Sequence, residues 1–130
     1  MLSYPRQISL TEIDNTTLTT DYADNRKEIT TRGMSKLSLD IDYARGSGEA
    51  SSKLLITLES SVDRVNWAQL VIDATSATSV ITAREWEIAD TAHLNILIDI
   101  AYEHMRVSVK ESGVSTNPGT ATVRSTVSGN

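Results

Sequence analysis

The sequence predicts an all-β chain: an antiparallel β-sandwich, jelly-roll or immunoglobulin-like, with an extended N-terminal arm. Three observations carry this. From Ser35 onward apolar residues alternate with polar ones at period two, as in strands with one wet face. Turn residues recur at roughly ten-residue intervals with no helical pattern between them, which excludes βαβ units and a parallel sheet. The apolar complement is Leu, Ile and Val, without Phe or Cys. The core is therefore aliphatic, and a disulfide scaffold, a Cys-ligated metal and a cysteine nucleophile are all excluded.

Residues 1–33 differ from the rest. They are rich in Thr and poor in aliphatic residues, with a polar run from Asp14 to Arg32. Gln7–Ile13 alternates and predicts a short strand. Asn15–Thr20 is β-branched but barely hydrophobic, so it suits pairing with another chain better than filling a core. The segment reads as an extended arm or edge segment. Its partner-binding candidates are Ile8, Leu10, Ile13, Thr17, Leu18 and Thr19. Residues 34–130 then form the β-domain. On this division a chain lacking residues 1–33 keeps its fold and loses assembly.

Leu37, Leu39, Ile41 and Tyr43 alternate with Ser38, Asp40 and Asp42, a half-buried strand that ends at Gly46-Ser47-Gly48. Lys53–Glu59 is more apolar and thus more central. A polar turn over 60–66 leads to a third strand, Trp67–Asp73. A small-residue loop over 74–78 leads to a fourth, over 80–88. His93–Met105 fits period two and the helical period alike. Three Ile in five residues, stiff at χ1, favour a strand over Leu94–Asp99, followed by a turn at Tyr102 and Glu103. His104–Lys110 alternates without a fault. Asn117-Pro118-Gly119 is a turn, and Thr120–Val127 is the last strand.

Twelve Lys and Arg against 17 Asp and Glu give a net charge of −5, with the basic residues scattered. This argues against nucleic-acid binding, which needs a basic patch. No basic n-region with an apolar run opens the chain, so no signal peptide is expected. The longest apolar stretches are far too short to span a membrane. No nucleophile–base set stands out, so no enzyme is expected. His93 reads as a strand-edge or turn residue and His104 as a solvent-facing one. Asp40 and Asp42 share one face of a strand and could help ligate calcium; their simpler role is to keep that face wet. Glu85 and Glu87 read the same way. No cofactor is implied. Trp67, Trp86 and Tyr43 are the residues able to stack on a sugar ring, and they also suit core packing.

Ser61-Val62-Asp63-Arg64-Val65-Asn66-Trp67 resembles the Ser-x-Asp-Gly-x-x-Trp hairpin of small β-sandwich structural proteins of tailed-phage particles and of some carbohydrate-binding modules. Ser61, Asp63, Asn66 and Trp67 match. Arg64 replaces the usual Gly, which predicts a different turn type. The run Ile98–Val109 with Gly119-Thr120-Ala121-Thr122-Val123 resembles the last two strands of such phage proteins. The resemblance covers about residues 35–129. It implies a non-enzymatic virion protein of the capsid decoration type, made in the host cytoplasm. Its partners would be the major capsid protein or other virion subunits, and it would be a homo-oligomer, with a trimer as an arrangement common to such proteins. The alternative is a carbohydrate-binding module or tail-fibre component.

Overall fold

The structure, a computed structural model, describes residues 6–31, 33–69, 71–75, 80–83, 85–100 and 104–129. Its elements in order are β1 (Arg6–Thr17), a 3-10 turn (Tyr22–Asp24), β2 (Arg26–Thr30), β3 (Lys36–Ala44), β4 (Lys53–Ser61), β5 (Ala68–Gln69), β6 (Val71–Thr75), β7 (Val80–Ala83), β8 (Glu85–Ile88), β9 (Ala92–Asp99), β10 (His104–Ser112) and β11 (Thr120–Gly129). The turn expected at Tyr102 and Glu103, and most of the loop expected over 74–78, lie outside the described residues.

Two antiparallel sheets form the sandwich. One runs β1-β11-β3-β9; the other runs β2-β10-β4, with β5 and β8 both against β4. The pairing is nested: β1 with β11, β2 with β10, β3 with β9, and β4 with β8. A long ribbon of paired strands is thus rolled over on itself, alternating between the sheets. This is the jelly-roll wrap rather than the immunoglobulin one.

Period two fixes the faces. On β3, Leu37, Leu39, Ile41 and Tyr43 point inward; on β10, Met105, Val107 and Val109 do so. They meet Leu54, Ile56 and Leu58 of β4 and Ala121, Val123 and Val127 of β11 in one core. The aliphatic character expected of that core is what fills it, with Tyr43 as its one buried aromatic residue among the described ones.

Residues 6–31 are paired within the chain. β1 is an edge of the first sheet and β2 an edge of the second, and Ile13, Leu18 and Ile29 lie in the shared core. The packing therefore crosses position 33. β2 falls inside the polar run, where only Ile29 is buried, so it carried no periodic signal.

The strand expected over Trp67–Asp73 divides. β5 pairs with β4 at Glu59 and Ser60, whereas β6 leaves that edge to form a separate hairpin with β7. The strand expected over 80–88 divides likewise, because β8 returns to β4 at Leu54–Thr57. Alternation records which way side chains point, not which strand lies alongside. Residues 92–99 form a strand, as χ1 stiffness predicted.

The 61–66 turn is closed by Asp63, whose Oδ1 accepts the N–H groups of Asn66 and Val65 at 2.8 and 2.9 Å, and by Ser61 Oγ, which accepts that of Arg64 at 2.9 Å. These bonds hold the Asp63 carboxyl well below its usual range. Arg64 itself takes the left-handed backbone, with φ 63°, the conformation that Gly adopts freely. Its guanidinium reaches Glu28 at 2.7 Å.

Candidate functional site

Of the arm candidates, Ile8, Leu10, Thr17 and Thr19 are exposed, and Ile13 and Leu18 are buried. Ile8 lies opposite Val127 and Leu10 opposite Ser125, so both point to the core side of the sheet. Yet they remain 48% and 55% exposed, while Ile13 and Leu18 are buried. β2, the edge strand of the other sheet, is five residues long against twelve in β1. Ile8 and Leu10 form an apolar ledge along an edge strand. Thr17 and Thr19 are exposed; Thr17 pairs with Thr120, and Thr19 Oγ1 donates to Asp24 at 2.7 Å.

The aromatic candidates are scattered. Tyr43 is in the core, 2% exposed, which leaves no ring face for a sugar. Its hydroxyl donates to Glu111 at 2.5 Å and lies 3.1 Å from Ser52 Oγ. Burial, and then the Glu111 bond, push its pKa up to about 12. Trp67 is half-buried on the outer face of the second sheet, with the Arg106 guanidinium 4.4 Å above its ring. Arg106 in turn grips Glu59 with two bonds of 3.0 Å. Trp86, opposite Ile56 on β8, packs against the core. The structure does not bring Trp67, Trp86 and Tyr43 to one surface.

Asp40 and Asp42 do share the outer face of the first sheet, as period two required. His93 on β9 lies opposite Asp42, and its Nε2 bonds Asp40. The three donor groups are close enough to hold one metal ion. However, Arg124 on β11 already compensates both carboxylates, with Nη1 3.4 Å from Asp40 and 3.1 Å from Asp42. The four side chains form one polar network across β11, β3 and β9. It borders a shallow recess of about 370 Å³ floored by Ala92, Ala121 and Thr122. His104 faces outward beside Arg106 but is only 23% exposed, 3.9 Å from Glu28.

Sequence reasoning passed over Glu49. This carboxylate is buried and accepts the backbone N–H groups of Asn117, Ser115 and Thr116 at 2.6, 2.8 and 2.6 Å. It clamps the 113–119 loop onto the 46–49 turn. Those bonds hold its pKa near 2 against an ordinary 4.5. A depressed pKa stabilises the fold above the ordinary value and ceases to do so as pH falls through the folded one. Thermal melts between pH 6 and pH 2 are thus expected to lose stability below about pH 4.5, and Glu49→Gln should flatten that loss. The same junction needs Gly46. A Cβ there would lie 1.9 Å from the Asn117 carbonyl oxygen, so Gly46→Ala must push the loop off and is expected to cost about 1–3 kcal/mol in denaturant melts.

No protein-family model matches the chain, and no curated protein matches it. Solved structures do resemble it in shape. Tripeptidyl peptidase 2 aligns over 93% of this chain and 9% of its own, with a TM-score of 0.50 and 8% identity. The infectious bursal disease virus T13 particle aligns over 97% and 31%, with a TM-score of 0.49 and 10% identity. The Gx strain of that virus aligns over 98% and 33%, with a TM-score of 0.46 and 12% identity. The chain spans a third or less of these proteins. At such identities the likeness concerns the fold. Among the described residues no helix is long and apolar enough to cross a membrane.

Proposed function

We propose that this chain is a non-enzymatic structural subunit of a virus particle, and within that class a decoration protein that binds the shell of a tailed phage. The observation that carries the reading is the apolar ledge of Ile8 and Leu10 on the β1 edge. Two neighbouring aliphatic side chains left half in water along one strand can be seated on an adjoining subunit of a shell. The jelly-roll wrap supports it by analogy, since that architecture recurs in viral capsid domains and in lectins. The phage-like hairpin at Ser61–Trp67 supports the narrower assignment. Small contacts of this kind gain strength from the many copies on a lattice.

The major capsid protein is the partner this reading names, and the virion is the location. The lectin-like alternative draws less support, because Tyr43 is buried and Arg106 lies on the Trp67 ring. The test is an Ile8→Glu/Leu10→Glu double variant. Both side chains are already half in water, so the circular dichroism spectrum and melt should stay as in the parent. Recovery with purified particles should fall at least tenfold. Undiminished recovery of the folded variant would remove the ledge from the account.

A further inference from the structure

Among the described residues five strands border the two sheets, and four offer little unbroken edge to another strand; β5 has only two residues. β1 is broken by register shifts between Thr11 and Ile13 and between Ile13 and Thr16, with Asn15 at φ 42°. β2 is short and begins Arg26-Lys27-Glu28. β8 has four residues, two of them Glu. β9 is different. It has eight residues, no register shift against β3, and no Pro, Lys or Glu. Leu97 at its centre is 69% exposed.

The backbone bonding shows which β9 residues face outward. Ile100 donates its N–H to Ser35 on the β3 side at 2.8 Å. In an antiparallel pair this role alternates. Ile98, Ile96 and Leu94 therefore bond β3, while His93, Asn95, Leu97 and Asp99 direct their N–H and C=O groups away from it. The side chains of these four lie on the outer face; Leu94, Ile96, Ile98 and Ile100 lie on the inner face, only partly buried against the core.

We propose that β9 pairs antiparallel with β9 of a second copy of this chain, about a two-fold axis at Ile96, joining two four-stranded sheets into one. The sequence of the strand is self-complementary in that register. His93 falls opposite the partner's Asp99, and Asn95 opposite the partner's Leu97, with each such pair exchanging both N–H···O bonds. Lys36 already lies 3.0 Å from Asp99 and Asp40 bonds His93. The junction thus carries an alternating row of Lys36, Asp99, His93 and Asp40, the last two from the second copy. On the inner face Ile96 meets its own counterpart and Leu94 meets Ile98, which covers the half-buried aliphatic row. Sliding the register by one residue pair sets Asp99 opposite Asn95 or His93 opposite Leu97, and leaves strand ends unmatched. A hydrogen-bonding His93–Asp99 match in one register and an unbroken apolar row favour a second copy over an unrelated strand. This pairing stands apart from the shell-binding ledge on β1, at the other edge of the same sheet, and is tested without any particle.

Sedimentation equilibrium of the full chain should give the mass of two copies. Leu97→Pro removes an outward N–H and no bond to β3, so this variant should keep its circular dichroism spectrum and sediment as a single copy. The chain has no cysteine, which allows a test of register. Ile96→Cys places two thiols in a non-hydrogen-bonded pair, about 4.5 Å apart at Cα, and should form an intermolecular disulfide on mild oxidation. Leu97→Cys places them diagonally, about 7–8 Å apart, and should not. A parent of one-copy or three-copy mass, a folded Leu97→Pro that remains paired, or equal cross-linking at both positions would each overturn the proposal. Should Leu97→Pro fail to fold, the two cysteine variants decide.

Discussion

A chain beginning at Gly33 is expected not to fold. It would lose β1 and β2, an edge of each sheet, and would strip Ile13, Leu18 and Ile29 from the core. Burying an aliphatic side chain is worth about 1.5–3 kcal/mol, so these three alone approach the roughly 5–15 kcal/mol by which a domain is stable. Backbone bonds go as well. Leu18 donates to Gly119 at 2.9 Å, Glu111 to Thr19 at 2.8 Å and Val109 to Asn25 at 3.0 Å. Circular dichroism should show no cooperative melt, and amide proton shifts should collapse into the unfolded range. A dispersed spectrum with a sharp melt would mean that the N-terminal strands lie outside the folding unit.

Glu111→Ala is the point substitution expected to cost most. Its carboxylate is 1% exposed, accepts the Tyr43 hydroxyl at 2.5 Å and the Gly119 N–H at 2.7 Å, and so ties β10 to β3 and to the start of β11. Removal orphans two buried donors at about 1–3 kcal/mol each and opens a cavity, although Ser52 remains near Tyr43. The expected loss of about 3 kcal/mol corresponds to a fall in Tm of roughly 10 °C. A second readout comes from alkali. A Tyr43 pKa raised to about 12 means that its stabilising contribution is complete below the ordinary value of about 10 and disappears between pH 10 and 12. Tyr43→Phe should lessen that slope and leave the part due to Tyr22, whose hydroxyl is likewise raised by burial and by its bond to Glu85. A Glu111→Ala protein as stable as the parent would show that the buried carboxylate is not what joins these strands.

The fold was legible where one face of a strand is buried. Leu37 to Tyr43, His104 to Lys110 and Thr120 to Val127 alternate because each sits inside a sheet, and β9 declared itself through its isoleucines. β2 was not legible, since an edge strand with one buried residue has no period to read. The changes of partner at β5 and β8 were invisible for a related reason: alternation does not name the neighbour. The nested pairing that makes this a jelly roll depends on contacts far apart in sequence, between β1 and β11 above all.

The candidate surfaces were legible only in part. Ile8 and Leu10 could be named as apolar residues in a polar segment, but the same reasoning offered Ile13 and Leu18, which the sheet turns inward past a bulge. Tyr43 had the alternation of a core residue and is one. Glu49 and Glu111 carried no signal in the sequence, because no local pattern announces a carboxylate that caps a distant loop. Leu97 lay within an apolar run, and only the place of β9 at the sheet edge gives it meaning.

The central claim is that this chain is a structural part of a virus particle. Quantitative mass spectrometry of particles purified from the source that encodes it, read against the major capsid protein, tests this most directly. The account predicts recovery in a fixed, high ratio that survives repeated density-gradient banding. Particles that lack the chain while the surrounding lysate holds it in abundance would contradict the account.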